Sequence, residues 1–141
     1  MRLYIPVTFI GLRRAVSSGS LPASGWRAHL LPGATDDADS AEYAALRLAA
    51  HDSLDALRSE PEAPRRRAVA VANVPEEWTE PEPDGSVILT RKVPLDRIIA
   101  VYADSSASSP AVVKALTGKE SPIDDTELLW FARQELPELV S

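Results

Sequence analysis

The sequence contains no cysteine, which excludes disulfides, thiol catalysis and thiolate metal sites. Histidine is scarce too: His29 and His51 are the only imidazoles, and neither has a second histidine or a carboxylate at a recognised metal spacing. No metal and no cofactor is therefore expected. No apolar run approaches the roughly 18 residues that a membrane span needs. The first residues, MRLYIPVTFIGLRR, hold only a short apolar stretch interrupted by Pro6, a poor match to a signal peptide. A cytoplasmic protein without membrane contact is the expectation. Patterns for a nucleophile elbow, a phosphate loop, a dinucleotide fingerprint or a zinc protease helix are missing as well.

What remains is enough for one core. The 141 residues are 45% apolar and 26% charged, and a chain of this length buries about two thirds of the surface its unfolded form exposes. One domain over residues 1–141 is expected, held without a disulfide. Twelve arginines and three lysines stand against 21 acidic residues, for a net charge of −6. Such a chain repels polyphosphate at long range, so nucleic acid is not an expected partner. The charge is unevenly placed. Residues 1–35 have four arginines and no acid, whereas residues 36–64 have eight acids.

Periodicity outlines the elements. Arg2 to Phe9 reads as a strand that Pro6 demotes to an edge or a bulge. A short helix capped by Thr8 follows and stops at Ser17-Ser18-Gly19, and Gly25 to Leu31 reads as a short strand. Ala34 to Asp39 is polar and reads as a loop. From Ser40 to Arg58, Tyr43, Leu46, Ala50, Leu54 and Leu57 form one apolar stripe, with Asp39 and Glu42 as a capping box and Pro61 and Pro64 as stops. Residues 67–74 are nearly all apolar and predict a central strand covered on both faces. Residues 75–85, with three prolines, four glutamates and an Asp-Gly step, predict a mobile loop anchored only by Trp78.

Beyond it, Ser86 to Val93 and Ile98 to Tyr102 predict strands separated by a turn at Pro94 to Asp96. Pro110 opens a helix capped by Ser108 or Ser109 and ended by Gly118, and Pro122 to Asp125 is a loop. The run from Glu127 to Ala132 suits either a strand or a helix start. The order predicts an α/β (α+β) domain in which a mixed sheet packs with about three helices.

Four pieces in this order, MRLYIP, AEYAAL, PRRRAVAVANVP and ELLWFARQELPELV, resemble a family of small proteins of unknown function from high-GC, actinobacterial-type bacteria. The resemblance spans essentially the whole chain. It implies one cytoplasmic domain, and it carries no activity, cofactor or catalytic residue to transfer. It also implies that 34–39 and 75–85 vary in length, so no function is placed there.

Two clusters could carry function. Arg65, Arg66 and Arg67 sit between a helix stop and a buried strand, where guanidinium forks could clamp a phosphate or a carboxylate, or could simply pair with the acidic long helix. Asp36-Asp37, Glu76-Glu77 and Asp124-Asp125 could hold a cation, but all lie in polar segments that suit solvated charge. His51 and Asp52, neighbours on one helix, point in different directions, so both histidines read as structural or solvated. In the tail, Leu128, Leu129, Trp130, Phe131, Leu136, Leu139 and Val140 concentrate bulky apolar side chains, with Gln134 and Glu135 at a turn between them. They would dock on the protein's own sheet or form an interface.

The first functional reading is a non-enzymatic interaction or accessory protein, a homodimer or a module for a protein partner, exposing an apolar patch at the tail. The second is a small-ligand or enzymatic site at Arg65–Arg67, where the forks would converge with Tyr4 or Tyr43.

Overall fold

A computed structural model describes residues 1–30, 38–117 and 128–141, with the side chains of 38–40 left aside. Among the described residues, nine strands and four α-helices follow one another as β1 (Arg2–Val7), α1 (Phe9–Ser18), β2 (Ser20–Leu21), β3 (Arg27–Leu30), α2 (Ala38–Arg58), β4 (Ala68–Asn73), β5 (Thr79–Pro81), β6 (Val87–Leu89), β7 (Val93–Pro94), β8 (Ile98–Ala103), α3 (Ser109–Thr117), β9 (Leu129–Ala132) and α4 (Leu136–Leu139). Seven strands form one sheet in the order β5-β6-β3-β1-β4-β8-β9, and β2 pairs with β7 apart from it. The α+β class is as expected, but the sheet is not mixed, since every described pairing is antiparallel.

The pleat sends alternate residues to opposite faces. Leu3, Ile5 and Val7 of β1 join Ala68, Ala70 and Ala72 of β4 in the larger core, which Leu12 and Ala15 of α1 and Leu136 of α4 complete. Tyr4, Val69 and Val71 face the other way, onto Ala45, Ala49 and Ala50 of α2. The alanines let α2 lie close to the sheet. As expected, β4 is buried on both faces and lies between β1 and β8.

Three expectations of detail change. Strand β1 is not an edge, because β3 and β4 flank it. Pro6 is tolerated because β3 pairs with β1 only at Leu3 and Tyr4, so at Pro6 only β4, through Val69, lies beside the strand. Helix α2 spans Ala38–Arg58, which puts Asp39 inside the helix rather than at its cap, and the Glu42 carboxylate accepts the Tyr4 hydroxyl; the Asp39 side chain, and with it the expected capping box, lies outside the described residues. Part of the expected loop 75–85 is a 3-10 turn, Glu76–Trp78, followed by β5. Its Pro-Asp-Gly composition serves a hairpin. The Glu82 N–H donates to the Ser86 carbonyl at 2.9 Å, and Asp84 Oδ1 accepts from the Ser86 N–H and hydroxyl. The run from 127 resolves as a strand from Leu129 to Ala132. The expected features at Asp36-Asp37, Gly118 and Pro122 to Asp125 lie outside the described residues, and Glu76-Glu77 is exposed.

Ser53 ties the two layers together. Its buried hydroxyl donates to the Val7 carbonyl at 2.7 Å and accepts from the Ala68 N–H at 3.0 Å, at the last pair of the β1–β4 ladder. Ser53→Ala removes the acceptor of a buried N–H and should cost about 1–3 kcal/mol in urea unfolding. An unchanged midpoint would show that the hydroxyl adds nothing.

Candidate interaction edge

The arginine cluster divides its work among three partners. Arg65 wraps the end of α2, donating from Nε to the Ala63 carbonyl at 3.1 Å, from one terminal nitrogen to the Leu57 carbonyl at 3.0 Å and from the other to the Glu60 carbonyl. A cation there adds a donor to the Leu57 carbonyl in the last turn of the helix and complements the helix dipole. Arg66 stacks over the Phe9 ring at 4.2 Å and donates to the Asp104 carbonyl at 2.9 Å. Burial pulls this guanidinium below its ordinary pKa, against the upward pull of the Asp104 charge.

Arg67 is 2% exposed and forks onto Asp104, itself fully buried, with both bonds at 2.9 Å. Asp104 also accepts the Arg67 backbone N–H at 2.8 Å. The three forks therefore do not converge on one concave point. Tyr4 does not join them either, since its hydroxyl donates to Glu42 at 2.8 Å, and Tyr43 is exposed on α2. Asp104 carried no sequence signal; only the ladder between β4 and β8, which pairs Ala68 with Ala103, brings it beside Arg67.

The tail splits between inside and outside. Leu136 and Val140 enter the large core, and Arg13 of α1 donates to the Val140 carbonyl at 3.1 Å. Strand β9 pairs with β8 along one side, and among the described residues no strand lies beyond it. Leu129 is 48% exposed and Trp130 56%, on opposite faces. The Ala132 N–H donates to the Glu135 carboxylate at 3.0 Å instead of to β8. The alternation of an antiparallel ladder then puts the Trp130 N–H and carbonyl on the same open side. Arg133 reaches the Asp96 carbonyl at 2.9 Å, and Gln134 is exposed.

A family model matches residues 1–140. The chain belongs to DUF6912, a family of unknown function. No curated protein and no solved structure matches it. The description of DUF6912 assigns no role to these residues, and what bears on their function is their geometry. Among the described residues no helix is long and apolar enough to cross a membrane.

Under α2 the Tyr4–Glu42 bond has a pH consequence. Burial raises the Tyr4 pKa above its ordinary value of 10, and the bond to Glu42 and its charge raise it further. A raised value favours the neutral phenol in the fold, so this stabilisation is complete below the unfolded pKa and is lost as pH climbs through the folded one. Tyr4→Phe should therefore show a shallower loss of stability between about pH 10 and pH 12 than the parent chain. Equal alkaline slopes would contradict this account of Tyr4.

Proposed function

We propose that this chain is a non-enzymatic interaction or accessory protein of the cytoplasm that associates through the β9 edge, and that its first partner is a second copy of itself. The supporting observation is the exposed, uncharged edge strand Leu129–Ala132, with Trp130 outermost. Natural sheets blunt their edges with charge, proline or a covering element. The opposite edge follows that practice, since β5 reads Thr79-Glu80-Pro81. Among the described residues, the side of β9 away from β8 is closed at Ala132, whose N–H donates to Glu135.

A two-fold axis would set β9 against its own copy in antiparallel register, placing the same residues on both sides. Trp130 and Leu129 would then gain cross-strand neighbours on the two faces. The alternative, an anion site around Arg65–Arg67, would have to draw on donors already given to Asp104 and to chain carbonyls.

Sedimentation across a concentration series tests the reading. The parent chain should become dimeric by about 100 µM, and Trp130→Lys should stay monomeric with an unchanged circular dichroism spectrum. A parent chain that remains monomeric throughout, or a Trp130→Lys chain that dimerises equally, would overturn it.

A further inference from the structure

A cleft of about 730 Å³ opens between α1, the C-terminal half of α2 and the β3–β6 pair, within the usual range of about 300–1,000 Å³ for small-ligand sites. Its walls carry opposite charge. Asp52, Asp55 and Glu60 line it from the α2 side, and Arg14 and Arg27 from the α1 and β3 sides. Some of this charge is spent within the chain: Asp55 lies 3.5 Å from Arg58, and Arg27 lies 3.9 Å from Asp84. Among the described residues neither Arg14 nor Glu60 has an ion-pair partner.

Two features hold the cleft in shape. His29, 12% exposed, meets Asp52 Oδ2 through Nε2 at 2.6 Å and so fixes the carboxylate from behind. The indole of Trp26 lies against α1 because residue 11 is glycine: a Cβ there would come within 3.3 Å of the ring. The Trp26 backbone is also fixed, its N–H on the Ala23 carbonyl and its own carbonyl accepting from Leu89. The lining of one cleft thus brings together a half-buried indole, a carboxylate held by His29 and the Arg14 guanidinium, which has no ion-pair partner among the described residues.

We propose that this cleft binds a zwitterionic small molecule of dipeptide size. The ammonium of the ligand meets Asp52 and Glu60, its carboxylate meets Arg14, and its apolar middle packs on Trp26. Each end is recognised by a charge-assisted hydrogen bond, and a molecule lacking either charge leaves one wall unsatisfied.

The probe is the dipeptide alanyl-phenylalanine with its N-acetylated and C-amidated forms, followed by amide chemical shifts of the whole protein. The free dipeptide should shift resonances around Trp26, and each blocked form should bind at least about tenfold more weakly. Asp52→Asn, which keeps the side-chain shape and a polar group beside His29, and Arg14→Gln, which removes the charge of an exposed side chain, should each lower affinity by about tenfold, with the cooperative unfolding of the free protein retained. No shift with the free dipeptide at about 10 mM, equal binding of the blocked forms, or parent-like affinity in both variants would overturn the proposal.

Discussion

The buried ion pair between Arg67 and Asp104 holds the junction where four elements meet. Arg67 precedes β4, Asp104 follows β8, and the bidentate bond closes the end of the ladder between these strands. The Asp104 N–H also donates to the Arg67 carbonyl at 3.0 Å, so backbone and side chains are joined at the same two residues. Taking both charges out of water is costly, and the bidentate geometry together with the backbone bonds at the same residues offsets that cost. Arg66 and Arg65 extend the junction to Phe9 at the start of α1 and to the end of α2. The segment from 65 to 67 is thus a fastening for the fold, which turns attention for function to the sheet edge and the cleft.

The face of the sheet beneath α2 carries two polar side chains, Tyr4 and His29, each met by a residue of that helix, and a third helix residue bonds the backbone of the sheet. Tyr4 donates to Glu42, His29 meets Asp52, and Ser53 reaches the β1–β4 ladder. The alanines between these positions allow close approach but bury little apolar area each. Directional bonds therefore set the position of α2 on the sheet, whereas the other face relies on Leu3, Ile5, Leu12 and Leu136 packing by volume. The cleft borders the bonded layer, and Asp52 belongs to both.

Much of the fold was legible in the sequence because its signals are local. Apolar stripes gave α1 and α2, the run from 68 to 73 gave the buried centre of the sheet, and Pro110 marked the first turn of α3. The tolerance of Pro6 was hidden, since it depends on where β3 stops pairing. The β5–β6 hairpin was hidden by a composition that suits loops and hairpin turns equally. Of the residues singled out for function, the arginines and Trp130 were visible, but their partners were not. Asp104 lies 37 residues from Arg67, and Asp52 lies 23 residues from His29. Such pairs follow from strand order and helix placement, which no spacing rule contains.

The central claim, that the Arg67–Asp104 pair fastens the fold, is tested most directly by a double-mutant cycle in urea with Arg67→Met and Asp104→Leu. Either single change strands a buried charge and should cost about 3–5 kcal/mol, whereas the double variant should lose clearly less than the sum of the two. Additive losses, or a cost below about 1 kcal/mol for Arg67→Met, would contradict the account.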